Sequence, residues 1–158
     1  MRLSTKGRYA VTAMMDLAVH HGEGAVTLAD ISETQGISLS YLEQLFARLR
    51  KQGLVEGIRG PGGGYQLSRP PEDISVAEII DAIGEGIDVT LCGGRTDCQD
   101  GERCLTHELW HQLGDRIHEF LASVTLASFL QREAVSRVVR RQRGRQEVEL
   151  ARLRKTVA

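Results

Sequence analysis

Cys92, Cys98 and Cys104 are the only cysteines in 158 residues, and all three fall inside one glycine-rich stretch that ends in Thr106-His107. Their spacing is Cys-x5-Cys-x5-Cys-x2-His. A disulfide framework would ordinarily use an even number of cysteines. Three thiolates and an imidazole gathered on one loop instead offer four donors to a soft metal ion or an iron–sulfur cluster. Imidazole is neutral and exchanges a proton near physiological pH, so a site with His107 as one ligand releases its group more readily than an all-thiolate site. Zinc is the rival. Its structural sites favour spacers of two to four residues, which the two five-residue spacers do not match. Cys98, Cys104, His107 and His111 nevertheless offer a set of two cysteines and two histidines. A catalytic Cys104–His107 pair lacks a nucleophile turn, an oxyanion-stabilising scaffold and a third orienting group, so the chain does not read as an enzyme.

These donors need a frame to position them. The chain is 41% hydrophobic, 26% charged and only 4% aromatic, the composition of a globular protein with an aliphatic core. No window has the apolar length of a membrane span, and Met1–Lys6 lacks the apolar run of a signal peptide. A cytoplasmic location is expected, where thiols stay reduced. The net charge of −1 conceals an asymmetry: residues 1–74 sum to zero, 75–131 to −7 and 132–158 to +6.

Apolar residues Tyr9, Ala10, Ala13, Met14, Leu17 and Ala18 recur at helical spacing and predict a helix from about Lys6 to His21. Thr27 and Asp30 form a capping-box-like start for a short helix to Gln35, which Gly36 ends. A longer helix follows, from Ser38–Ser40 to Gln52, with Ser40-Tyr-Leu-Glu43 as a second capping box and Leu42, Leu45, Phe46 and Leu49 inward. Two helices joined by a short glycine turn predict a helix-turn-helix. Strands at Leu54–Ile58 and Tyr65–Ser68, joined by Arg59-Gly-Pro-Gly-Gly-Gly64, then predict the wing of a winged helix-turn-helix. A nucleotide-phosphate loop is the rival for these glycines, but the Lys-Ser/Thr ending and the following βαβ helix are missing.

Ser75-Val-Ala-Glu78 predicts another capping box and a helix to Ile83. From Leu105, the positions Leu109, Leu113, Ile117, Phe120, Leu121 and Val124 predict a long helix whose apolar stripe would be buried by pairing across a twofold axis. Packing on the chain's own winged helix is the alternative. A helix is expected after Ser128 to about Arg140. The expected fold is mainly α with a small β-hairpin, a winged helix-turn-helix plus a long dimerisation helix. It divides into a DNA-binding domain over 1–83, a ligand loop over 84–104, dimerisation and C-terminal helices over 105–140, and a basic, disordered tail over 141–158.

The blocks Met1-Arg-Leu-Ser-Thr-Lys-Gly-Arg-Tyr-Ala-Val11, Leu28-Ala-Asp-Ile-Ser32, Gly36 to Phe46, Arg59-Gly-Pro-Gly-Gly-Gly-Tyr65 and the loop of three cysteines and one histidine together resemble the IscR/NsrR family of regulators. The likeness covers about residues 1–130. It implies a homodimeric winged-helix transcription factor that binds double-stranded operator DNA. It also implies one 2Fe–2S cluster per subunit on Cys92, Cys98, Cys104 and His107, supplied by the cluster assembly machinery whose genes it controls. His107 in the fourth-ligand position and Arg8, where some NsrR-like chains recruit an acidic ligand, favour the IscR side. A nitric-oxide-responsive NsrR-like repressor and a zinc-stabilised winged-helix module without sensing are the alternatives.

The DNA-facing candidates follow from the exposed side and N-terminal end of the second helix of the pair: Ser38, Ser40, Tyr41, Glu43, Gln44 and Arg48. Gln44 can pair with adenine, and Glu43 is repelled by phosphate unless it accepts from cytosine, so it would act as a selectivity filter. Arg59, Gly60, Pro61, Gly62 and Gly63 would bring the wing to a minor groove. Arg2, Lys6, Arg8, Arg50 and Lys51 add cations for phosphates, and the Arg-rich tail would add nonspecific affinity.

Overall fold

The computed structural model describes residues 4–157, so Arg2 lies outside the described residues. Ser4 opens the fold as an extended N-cap whose hydroxyl accepts from the amides of Lys6 and Gly7, starting α1 (Thr5–Val19). Thr27 caps α2 (Leu28–Gln35), accepting from the Asp30 amide, while its own hydroxyl donates to the Asp30 carboxylate at 2.6 Å. Gly36 ends α2 in the left-handed conformation, at φ 67°, where a β-carbon would be strained. α3 (Leu39–Lys51) begins from Ser38, not from Ser40: Ser38 holds the extended N-cap conformation without a side-chain hydrogen bond, and Ser40 already lies in the first turn. The second capping box expected at Ser40–Glu43 therefore does not form, which leaves Glu43 exposed and uncommitted.

β1 (Val55–Ile58) and β2 (Gly64–Leu67) pair antiparallel, with Val55 opposite Leu67 and Ile58 opposite Gly64. The wing is held at its root by a further bridge. The Val26 amide donates to the Tyr65 carbonyl at 2.9 Å, and the Tyr65 amide returns a bond to Val26 at 2.7 Å. This approach requires Gly64: a β-carbon there would collide with the Val26 carbonyl and lie 2.9 Å from the Thr27 nitrogen.

A 3-10 turn at Pro71–Asp73 leads to α4 (Val76–Ala82), where Ser75 and Glu78 complete the expected capping box. α5 (His107–Ser123), the short α6 (Leu126–Leu130) and α7 (Glu133–Val157) follow the ligand loop. The main core joins α1 to α4, the wing and α6, while a second cluster of Val76, Ile80 and Val124 seats the end of α5. Met14, Ile31, Leu42, Phe46, Leu49, Ile74, Ile79, Ile83 and Leu126 are fully buried within the main core, and the Phe46 ring meets Tyr65 edge-on at 4.8 Å. The architecture is a mainly helical winged helix-turn-helix with a two-stranded wing and a long C-terminal helix.

α7 runs to Val157 rather than ending near Arg140, which differs from the expected disordered tail. Its Arg, Glu, Gln and Leu residues favour helix even where few apolar positions mark a face. Contacts also anchor it: Gln142 and Gln35 donate to one another, Gln146 donates to Thr34, and Arg143 donates to the Val19 carbonyl and to Glu23. No helix among the described residues is long and apolar enough to cross a membrane.

Candidate metal centre and nucleic-acid interface

The ligand loop is short of regular structure and rich in left-handed backbone. Gly84, Gly93, Gly94 and Gly101 have positive φ, and so do the non-glycine residues Thr96 and Asp100. These turns fold the cysteines back toward the first residue of α5. His107 is 2% exposed, the one buried histidine of the described residues. Its Nδ1 stands 3.5 Å from the Cys92 sulfur and 3.5 Å from the Cys98 sulfur. Donor atoms of Cys92, Cys98 and His107 all lie within 4.8 Å of one another.

Cys104 is attached to this group without being drawn fully into it. Its amide donates to the Cys98 sulfur at 3.1 Å, while its own sulfur lies 3.9 Å from the Thr106 hydroxyl. All three thiols are free. Burial works against the Cys92 thiolate, but hydrogen bonding with Thr90 and with the Thr96 and Asp97 backbone outweighs it and brings the thiol down to about 6. Cys104 is also lowered, chiefly by Cys98, whereas Cys98 is raised: the Cys104 amide favours its thiolate, but burial and its neighbouring thiols prevail. Cysteine ligands bind as thiolates, so the set is partly prepared for a cation.

The residues present fit a metal or an iron–sulfur cluster on a structural criterion. His107 Nδ1 is the nitrogen that faces the loop, and it converges on the Cys92 and Cys98 sulfurs. A buried imidazole and two cysteine sulfurs gathered within 4.8 Å are donors suited to a soft metal. Cys92, Cys98 and His107 could therefore bind a metal ion or such a cluster. The alternative set of two cysteines and two histidines does not assemble: His111 is exposed and pairs with Asp115 at 3.0 Å. Thr90 was not evident from the sequence. It touches Cys92 and receives the Gly94 amide, a role foreshadowed only by its place two residues before a cysteine.

The DNA-facing candidates divide. Ser38, Ser40, Glu43, Gln44, Arg50 and Lys51 are exposed on α3 or at its ends, and Arg59, Gly60, Pro61 and Gly62 are exposed at the wing tip, with Gly63 half-buried. Tyr41 is half-buried, its ring edge-on to Tyr9 at 5.6 Å. Arg48 is exposed as well, and both it and Lys6 donate to the carbonyl of Ile83, Arg48 at 2.9 Å, so these cations are also engaged with the protein. Leu39, 44% exposed at the start of α3, is an apolar candidate for this surface that charge-based reading missed.

A winged helix-turn-helix with a cysteine–histidine loop defines a class of ligand-responsive DNA-binding proteins, and comparison with known proteins narrows it. Residues 3–132 match the family model Rrf2, described as an iron-dependent transcriptional regulator. The chain is 62% identical over 146 residues to a putative HTH-type transcriptional regulator of Azotobacter vinelandii, covering 92% of this chain and 89% of that one. It is 60% identical over 142 residues to the HTH-type transcriptional regulator IscR of Photorhabdus laumondii, covering 90% and 87%. Among solved structures, IscR of T. potens superposes with a TM-score of 0.70 at 45% identity, covering 83% and 87%. The global cysteine regulator CymR of B. subtilis gives 0.71 at 39%, covering 82% and 95%.

The chain belongs to the Rrf2 family of transcriptional regulators and, within it, is of the IscR type. It is a DNA-binding regulator and not an enzyme.

Proposed function

We propose that the chain is a homodimeric, cytoplasmic sensor that holds one 2Fe–2S cluster per subunit on Cys92, Cys98, Cys104 and His107. It uses the state of that site to control operator binding at iron–sulfur cluster assembly genes, with the assembly machinery as donor. The convergence of the buried His107 Nδ1 on the Cys92 and Cys98 sulfurs carries this reading. When bound, the cluster supplies a redox- and iron-responsive anchor that draws the loop into one conformation.

The protein's own residues do the rest. Thr90 and the loop amides favour the Cys92 thiolate, and the Cys104 amide supports the Cys98 sulfur. His107, as the first residue of α5, joins the loop to the helix expected to pair with a second subunit. Leu109, Trp110, Leu113 and Phe120 on that helix are 36–59% exposed, an apolar stripe suited to a second copy of the chain. Ser38, Ser40, Tyr41, Glu43, Gln44 and Arg50 would address the major groove and its phosphates. Arg2 and the wing tip, Arg59 to Gly63, would reach the adjacent backbone and minor groove.

Anaerobic purification with visible absorption and iron and sulfide analysis tests the site. The expected result is a coloured dimer with roughly two iron and two sulfide per chain. A colourless protein with stoichiometric zinc would show instead a structural module. Glu43→Ala should alter operator preference in at least one of the loaded and unloaded forms; unchanged preference in both removes Glu43 as a filter.

A further inference from the structure

The entrance to the ligand loop is tied to the reading head through one backbone carbonyl. Ile83 closes α4 and is fully buried, and the loop departs from it through Gly84, which has φ 74°. The Ile83 carbonyl accepts from Arg48 Nη1 on the recognition helix at 2.9 Å and from Lys6 Nζ on α1. A carbonyl oxygen has two lone pairs, so these two cations satisfy it. Beside it, the Ser4 hydroxyl that caps α1 donates to the Glu85 carboxylate. The helix that follows the loop packs back on α4: His118, three turns into α5, pairs with Asp81 at 3.1 Å. The loop also crosses α5 at Gly114, where a β-carbon would lie 3.2 Å from the Ile87 carbonyl.

We propose that Arg48 is a positioning residue: its hydrogen bond to the Ile83 carbonyl transmits the state of the ligand loop to the recognition helix. This rests on the reading of Cys92, Cys98, Cys104 and His107 as a cluster site. Ligand closure restrains the loop between α4, which it leaves at Ile83, and α5, which packs back on α4, and Ile83 is the point where α4 meets α3. Arg48 sits one turn and a little more beyond Glu43 and Gln44 on the same rigid helix, about 6–8 Å along its axis. A restraint imposed at Arg48 therefore acts on the whole of α3, including the residues expected to face bases, as one rigid unit.

The rival role for Arg48 is an ordinary phosphate contact, and the two roles have different signatures. A phosphate contact weakens loaded and unloaded binding alike when removed and flattens the salt dependence. A latch instead sets the difference between the two forms. The test uses the full-length wild type, Arg48→Ala and Arg48→Lys, each purified anaerobically. Iron and sulfide are measured for each. Duplexes selected from a randomised pool by the loaded and by the unloaded wild type serve as probes.

Allosteric coupling ordinarily changes affinity by about 5- to 150-fold. Arg48→Ala should load iron like the wild type and bring the loaded-to-unloaded ratio to within about twofold of unity, the uncoupled limit. Arg48→Lys, which keeps a cationic donor, should retain most of the ratio. Hydrogen exchange provides a readout without the cluster. In the unloaded chain, the Gly84 and Glu85 amides bond to the Asp81 and Ile80 carbonyls at 3.0 and 3.2 Å, and Arg48→Ala should speed their exchange.

A preserved ratio, or an equal loss in both forms with a flatter salt dependence, overturns the latch while leaving the cluster reading intact. Unchanged exchange at Gly84 and Glu85 also overturns it. A wild type that takes up no iron or sulfide removes the cluster reading, and the latch with it.

Discussion

The reading head and the ligand loop achieve order by opposite means. In the head, α1, α3 and α4 bury Met14, Leu42, Phe46, Leu49 and Ile79 completely, so apolar burial dominates in fixing the conformation. In the loop, Leu91 and Leu105 are 98% and 99% exposed, and left-handed turns and sulfur-directed hydrogen bonds replace a core. A region held by its core keeps its internal shape whatever is bound, and responds only as a unit. One held by a few polar contacts and converging donors can gain or lose definition with its ligand. The contrast separates a rigid reader from a responsive input within one small chain.

The sharpest way to break the contrast is to damage each region where its order originates. Phe46→Ala should cost the unloaded protein about 3–5 kcal/mol, the usual penalty for emptying a buried aromatic site. Cys98→Ala should leave unloaded stability within about 0.5 kcal/mol while abolishing iron uptake. Denaturant titration and iron analysis check both. A stability loss from Cys98→Ala comparable with that from Phe46→Ala would show the loop to be part of the core.

Glycines sharpen the same point on a smaller scale. Gly64→Ala drives a β-carbon against the Val26 backbone and should cost roughly 2–3 kcal/mol, toward the upper end for single substitutions. Gly101→Ala meets nothing within 4 Å, so only left-handed strain remains, about 1 kcal/mol. Thermal unfolding should rank them in that order.

Asp16 probes the head's one buried carboxylate among the described residues. Burial raises its carboxyl above the ordinary 3.8, against the opposing pull of Gln35 and His20. The folded state therefore holds the proton more tightly than the unfolded chain. Stability falls as pH climbs from the ordinary value through the raised one. Asp16→Asn should lift the neutral-pH thermal midpoint by roughly 2–4 °C, as expected of about 1 kcal/mol. The advantage should vanish below pH 3.8. The smallest stability effect should come from removing residues 147–158, which spares Gln142, Arg143 and Gln146. Unfolding should change little, whereas affinity for random-sequence duplex at low salt should drop.

Much of this design was legible in the chain. The capping residues Thr27 and Ser75, the Gly36 turn and the apolar stripe through Leu42, Leu45, Phe46 and Leu49 each express a local rule, and the fold obeys them. The cysteine spacing likewise locates the donors, and the fold sets His107 beside two of them. What stayed hidden depends on long-range geometry. Whether Arg48 faces phosphate or the Ile83 carbonyl depends on how α3 crosses α4, which no pattern within α3 encodes. α7 outruns its sequence pattern because apolar periodicity is a weak guide where polar anchors such as Gln142 and Gln146 hold a helix.

The isolated bridge between Val26 and Tyr65 pins the wing's root to the segment before α2, so the wing is no free flap. Riveted at its root and open at its tip, the wing cannot swing independently of the recognition helix. The two groove-seeking elements then work like the fixed jaws of a gauge. The distance between them is set by the protein, and an operator whose grooves depart from that distance must deform to fit or be passed over.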